Sequence, residues 1–363
     1  MRAVPESAYP SLEIVCQTPP GRLNEDAWLA MQTGPFGETI IIAAIDGATT
    51  RLTPPPLQRH LDTLPVKLTP AAYAARLTRD SLARQIGTGM PAELRTLVLE
   101  ANADLGRDLM RLFGALTLEG LGFPEEITGG LAHDPRLVRM GLPACVVTLA
   151  EVDPATNTLR YAHAGDTSLL VAYRDGRVAM PTQPDTATFD GPLKRMALNL
   201  REYYPDLPFR ELVQQAELRR ENLHAALYHN YVDEHGLPQP SQGLGVIDGL
   251  PELRYFLQAG TLDLDGVAFV CVMTDGLEWP ASAAEIFADT PEDATALMLQ
   301  RRAHMAALIA DRGLAGYLDD IRRLEANDPD HEQYPRMKTH DDAAGVLLRF
   351  DSPQDDDDAE LPE

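Results

Sequence analysis

The chain has 363 residues, with 31 Lys+Arg against 55 Asp+Glu and a formal charge of −24. That balance argues against non-specific binding of nucleic acid or of an anionic membrane, both of which need basic patches, while it is compatible with holding cations. A hydrophobic share of 44% supplies a substantial core, and the length suits one large domain or two of average size.

Cysteine use is sparse. Cys16, Cys145 and Cys271 are far apart, in no zinc-type spacing, and Cys145 and Cys271 lie in apolar runs where a buried, inert thiol is expected. Met1 to Tyr9 lacks the apolar core of a signal peptide, and no apolar run reaches the length of a membrane span. A cytoplasmic location is the expectation.

In chain order, Trp28 to Gln32 and Thr39 to Ile45 read as two strands joined by Thr33-Gly34-Pro35-Phe36-Gly37, a hairpin that delivers Asp46 at its end. Arg51 to Lys67, with three consecutive prolines, reads as loop. A first helix starts at the cap residue Thr69, with Pro70 at its first position, and runs to about Ile86. A second runs from near Pro91 to about Leu116, its stripe of Leu94, Val98, Ala101, Leu105, Leu109 and Leu112 facing the core.

The period then changes. Ala144 to Val152, Leu159 to Ala164 and Ser168 to Tyr173 read as a meander of antiparallel strands. Met180 to Gly245 is polar and proline-rich, with one helix expected over Phe209 to Tyr231, and reads as an insertion or flap at about 180–245. Leu253 to Leu257 reads as a short helix and Val267 to Met273 as a strand. Ala281 to Ala326 holds two or three helices, and Gly345 to Phe350 is the final strand. The tail 351–363 is too charged to pack and is expected to be disordered. The whole suggests an α+β layered sandwich, one domain over 1–350.

Asp-Gly is a common turn dipeptide, and the chain has six of them. Asp175-Gly176, Asp190-Gly191, Asp248-Gly249 and Asp265-Gly266 lie in or beside loops. Asp46-Gly47 and Asp275-Gly276 differ, because each ends a complete apolar run, where a carboxylate costs desolvation unless it is paired or metal-bound. Asn24-Glu25-Asp26 and Asp341-Asp342 also adjoin apolar stretches. Hard cations such as Mg²⁺ and Mn²⁺ prefer such oxygen ligands. Two of them about 3.5–4 Å apart can share a bridging carboxylate and hold a hydroxide between them. The chain shows no nucleophile elbow, no phosphate-cradling glycine loop and no cysteine-based phosphatase signature.

In sequence order, Asn24-Glu25-Asp26-Ala27, Asp46-Gly47, Ala164-Gly165-Asp166-Thr167, Thr274-Asp275-Gly276-Leu277 and Asp341-Asp342 resemble the motifs of the metal-dependent protein phosphatase 2C family, over roughly residues 20 to 350. The resemblance implies two packed antiparallel β-sheets flanked by helices, with two Mn²⁺ or Mg²⁺ ions at one end. It implies that Asp46 bridges both ions, that the Gly47 carbonyl binds one, and that Asp275 and Asp341 bind the other. Glu25 and Asp26 act through waters, and Asp166 matches a ligand of a third ion. Arg22 is the candidate phosphate-gripping residue.

The implied activity is hydrolysis of phosphoserine or phosphothreonine in a protein partner, by a hydroxide bridging the two ions. The alternative is a weak or inactive sensor of the same fold. Two departures stand out: Ala48 follows Asp46-Gly47 where many members carry an imidazole, and Trp279 stands where an acidic ligand often lies, with Glu278 as its substitute. His163 and His340, which flank two of the motifs, are expected to be structural.

Overall fold

The computed structural model describes residues 10–34, 38–48, 52–89, 93–122, 135–182, 199–214 and 228–350. In chain order its strands are β1 (Ser11–Gln17), β2 (Ala27–Thr33), β3 (Thr39–Ala48), β4 (Ala144–Asp153), β5 (Thr158–Ala164), β6 (Ser168–Tyr173), β7 (Val178–Ala179), β8 (Gln258–Asp263), β9 (Val267–Met273) and β10 (Ala343–Arg349). The helices are α1 (Pro55–Thr63), α2 (Pro70–Gly87), α3 (Leu94–Phe113), α4 (Leu118–Leu121), α5 (Phe209–Gln214), α6 (Ala283–Ile286) and α7 (Pro291–Asn327).

Two five-stranded antiparallel sheets result, ordered β2-β3-β4-β5-β8 and β1-β10-β9-β6-β7. Side-chain alternation explains how they stack. On β3, Ile41, Ala43 and Ile45 pack with α1, α2 and α3, while Ile40, Ile42 and Ala44 face Val270 and Val272 of β9 and Val346 and Leu348 of β10. The opposite face of the second sheet, with Phe269, Cys271, Met273 and Leu347, packs on Met305, Ile309, Leu314, Tyr317 and Ile321 of α7. The layers are therefore helix, sheet, sheet, helix. Both faces of the central strands are covered, which is why they read as unbroken apolar runs rather than as an alternation.

Helix α2 starts as its sequence demands: the Thr69 hydroxyl accepts the Ala72 N–H at 3.1 Å and Pro70 opens the helix. Helix α3 begins at Leu94, and Pro91 lies outside the described residues. Helix α7 breaks at Gly313 (φ 70°, ψ 178°), where a Cβ would meet the Glu13 carboxylate at 2.6 Å. Glu13 then accepts the Leu314 N–H at 2.9 Å, capping the second half of the helix.

Several sequence expectations need correction. Arg51 to Lys67 is not all loop: α1 starts within the proline run, since proline suits the first helical turn, and buries Leu57 and Leu61 one turn apart. The expected meander breaks after β5, because the chain crosses at Gly165-Asp166 to place β6 in the other sheet. The helix expected over Phe209 to Tyr231 covers Phe209–Gln214; residues 215–227 lie outside the described residues, and Tyr228 to Asn230 is not α-helical. There, Asn230 bonds both the N–H and the carbonyl of Val246, at 3.1 and 2.7 Å, and His229 bridges to Leu244. Strands β1, β7 and β8 were not foreseen. Their exposed or short patterns carry little apolar alternation. The loop positions 35–37, Asp190-Gly191 and the tail lie outside the described residues.

Cys145 and Cys271 are buried, and burial pushes the Cys145 thiol up to about 12 and raises that of Cys271, so both are inert. Among the described residues no helix is long and apolar enough to cross a membrane.

Candidate functional site

The face that Ile40, Ile42 and Ala44 present to the second sheet continues at the end of β3 with Asp46, opposite Val146 of β4. Asp26 precedes β2 in the same phase as Trp28 and Ala30, which pack into the same inter-sheet core. Thr274, just beyond β9, joins the two sheets: its hydroxyl donates to Asp26 Oδ2 at 2.8 Å and accepts the Ala344 N–H at 2.9 Å. Asp26 is thereby buried and held between the sheets (7% exposed). Beneath this end lies a buried polar layer in which Thr148 contacts His163 Nδ1 at 2.9 Å and the Thr167 hydroxyl at 2.8 Å. His163 is thus a buried structural residue.

The glycines of these motifs are not turn glycines. A Cβ on Gly47 would stand 2.6 Å from the Glu25 carbonyl oxygen, and one on Gly276 only 1.8 Å from that of Asp342. Neither has a positive φ. Their role is to let two acidic backbones approach. Gly176 and Gly266, by contrast, have φ of 87° and 70° with open space around them, as turn glycines do. Gly165 combines both demands, with φ at 100° and Val146 against its Cα.

Asp341 and Asp342 divide their tasks. Asp342, 3% exposed, accepts the Thr18 hydroxyl and the Glu25 N–H (2.9 Å), so it anchors the first acidic motif. Asp341 faces the carboxylates. Asp46, Asp26 and Asp341 are all held above the ordinary carboxylate range, by burial first and then by like charge. Around Asp46 that charge comes from Asp26, Asp275, Asp166 and Asp341; around Asp26, from Asp275, Asp342 and Asp341. Sequence positions separated by up to 316 residues thus share one electrostatic neighbourhood (342 − 26 = 316).

This arrangement has the right chemistry for a hard divalent cation, because carboxylate oxygens dominate it. The carboxylates are not, however, drawn into a closed ligand shell; among the described residues no three acidic, His or Cys side chains stand close enough to hold an ion. Asp275 is exposed at its strand end, so it stands at the open side.

Of the other candidates, Arg22 donates from Nη1 to the His340 carbonyl at 3.2 Å, which fixes it at the rim beside Asp341. Glu25 is held through its backbone, between Asp342 and Gly47. His340 turns to Glu325 Oε2 at 2.7 Å. Glu278 accepts from the Ser168 hydroxyl and lies 3.9 Å from Arg301 Nη1, while Trp279 packs edge-on to His304 and against Tyr317 in the core under α7. Thr49 and Thr50 lie outside the described residues.

Sequence named Thr274 and Asp342 within motifs but not their roles, Thr274 as the tie between sheets and Asp342 as the anchor for Glu25, and it did not single out Lys338. The Lys338 ammonium sits on both Asp341 oxygens, at 2.8 and 2.6 Å. An isolated lysine in a polar loop carries no signal by itself; only its position three residues before Asp341 hints at a pairing.

No known family profile matches the chain, and no curated protein matches it significantly. Solved structures do match. A serine/threonine phosphatase, Stp1 from Staphylococcus aureus, aligns over 97% of this chain and 99% of its own at 11% identity, TM-score 0.47. The catalytic domain of the serine/threonine protein phosphatase PstP, solved with two manganese ions, aligns over 95% and 99% at 14% identity, TM-score 0.43. RsbX in complex with magnesium aligns over 97% and 100% at 9% identity, TM-score 0.43. These are proteins the chain is similar to at low identity, and its own helix-sheet-sheet-helix layering is the architecture that the phosphatase 2C resemblance implied.

Proposed function

We propose that the chain is a metal-dependent phosphomonoesterase acting on phosphoserine or phosphothreonine in a protein substrate. One observation carries this: Asp26, Asp46, Asp166, Asp275 and Asp341 face one another at one end of the sandwich as like charges. Such a grouping destabilises a fold unless cations occupy it.

Asp46, Asp275, Asp341 and the Gly47 carbonyl would hold two Mn²⁺ or Mg²⁺ ions, with Asp26 and Glu25 acting through waters and Asp166 serving a third. Bound there, the ions would supply polarisation of the phosphoryl oxygens and a lowered pKa for the attacking water. The chain's own residues do the rest. Thr274 and Asp342 keep the two acidic strand ends at fixed spacing. Arg22, tethered by one nitrogen to His340, keeps further N–H donors for a phosphate at the rim. Ala48 after Asp46-Gly47 supplies no imidazole there, so another group or a water would have to protonate the leaving alkoxide.

Purified protein should hydrolyse an aryl phosphate and phosphopeptides with Mn²⁺ and lose that activity in chelator. Asp275→Asn should lower kcat/KM by about 100-fold or more, roughly 2.7 kcal/mol of transition-state stabilisation. Absence of metal-dependent turnover on either substrate overturns the reading.

A second reading, a phosphatase-like binding protein without turnover, is favoured by one contact: Asp341 is already engaged by Lys338. It predicts divalent-ion or phosphopeptide binding with no release of phosphate.

A further inference from the structure

The loop between α7 and β10 is tightly built. Arg336 donates to Asp328 Oδ2 and to the Tyr334, Glu325 and Asp328 carbonyls, all at 2.8–3.0 Å. Arg322 holds the Asp341 carbonyl at 2.6 Å and pairs with Glu325, which also receives His340. The backbone that carries Lys338 and Asp341 is therefore pinned on both sides. The Lys338 side chain is not: it is 47% exposed on a flexible stem, and among the described residues its ion pair is with Asp341.

An exposed ion pair three residues apart contributes little to stability, so the pair is a poor structural device. Its surroundings set it apart. Besides Asp341, the ammonium faces Asp275 and Asp46; partial burial works against its charge, and these three carboxylates hold it above the ordinary lysine value. Arg22, the other cation at this rim, is turned to the His340 carbonyl. Lys338 is thus the cation that the acidic end engages directly, at the carboxylate that would otherwise be open to a metal ion.

We propose that Lys338 is a built-in counter-ion which occupies Asp341 in the metal-free protein and must swing away before Asp341 can ligate an ion, so that it sets the threshold for uptake at that position. The inference rests on the metal-dependent reading above and deepens it. Occupied, Asp341 keeps a low net charge and the acidic end is tolerated without metal. Displaced, the ammonium is left at the rim, close to where Arg22 stands.

The test is calorimetric titration of the intact protein with Mn²⁺, for wild type, Lys338→Met, Asp341→Asn and the double variant, with thermal unfolding in chelator alongside. Removing the competing charge should tighten one Mn²⁺ site by about fivefold, the scale of an exposed ion pair, and leave the other unchanged. In Asp341→Asn the same lysine replacement should have no effect on affinity. In chelator, Lys338→Met should unfold at a lower temperature than wild type, and saturating Mn²⁺ should close that gap; Lys338→Arg should behave as wild type. Equal Mn²⁺ affinity in wild type and Lys338→Met overturns the inference while leaving the metal-dependent reading intact. Tighter binding in the variant without phosphate release by either protein supports the inference and removes the enzymatic reading. No uptake by any variant overturns both.

Discussion

Two clusters of ionisable side chains flank the start of β4, and they treat charge in opposite ways. On one side, next to Val146, lie the carboxylates around Asp46, with Lys338 seated on Asp341. On the other side Cys145 bridges to Ile247, and the adjacent Asp248, 1% exposed, pairs with the equally buried Arg139 at 3.3 Å. Arg139 also reaches Glu252, Asp248 caps the Leu250 N–H, and Asn102 accepts the N–H groups of Asp248 and Gly249. The second cluster is what a structural use of buried charge looks like, with Asp248 paired to Arg139 and bonded to the Leu250 N–H. The first gathers like charges instead, and this contrast distinguishes a site from a scaffold.

Breaking the matched cluster should cost the most. Arg139→Ala should destabilise by about 3–5 kcal/mol, read in urea unfolding, because it leaves Asp248 charged and alone in the interior. A loss below 1 kcal/mol would put both clusters on the same footing.

His229 belongs to the matched side and gives it a pH signature. Burial, with Arg139 nearby, depresses its pKa from 6.5 to about 4. Its neutral form is the one the fold accepts, so its contribution is fully present above pH 6.5. As pH falls from 6.5 towards about 4, protonation favours the unfolded chain, for a loss of about 3 kcal/mol at the acid end. His229→Gln should flatten the stability profile over that window relative to wild type; parallel profiles would show that His229 is not buried neutral.

On the acidic side the sign of a deletion should reverse. Asp46→Asn should abolish Mn²⁺-dependent turnover yet raise stability in chelator by about 1 kcal/mol, as expected where function maintains repulsion. A destabilised variant would mean that Asp46 is already satisfied.

The smallest contrast lies between glycines. Gly276→Ala should cost about 1–3 kcal/mol, since its Cβ would overlap the Asp342 carbonyl. Gly176→Ala, in an open turn at φ 87°, should cost about 1 kcal/mol from backbone strain alone. Equal losses would erase the distinction between close-approach and turn glycines.

That distinction also marks what was readable in the chain. The apolar runs before Asp46 and Asp275 were legible because β3 and β9 are buried on both faces and so carry no polar alternation. The Thr69-Pro70 helix start was legible because capping is local. Strand β1 was not: it lies on a sheet edge, its Leu12 and Ile14 exposed, and only its pairing with β10 makes it a strand. The jump of β6 to the second sheet was equally hidden, since a short crossover at Gly165 looks like any turn.

By itself the sequence determined the element types of the core, the α+β class and the order of five acidic motifs, because periodicity, capping and strand ends are written in neighbouring residues. Only the tertiary structure decided which carboxylates face one another, that Asp342 anchors Glu25 while Asp341 meets Lys338, and that Glu278 turns to Ser168. Those outcomes depend on pairings across the two sheets between residues up to 317 positions apart, and contacts at that separation are set by packing rather than by local sequence.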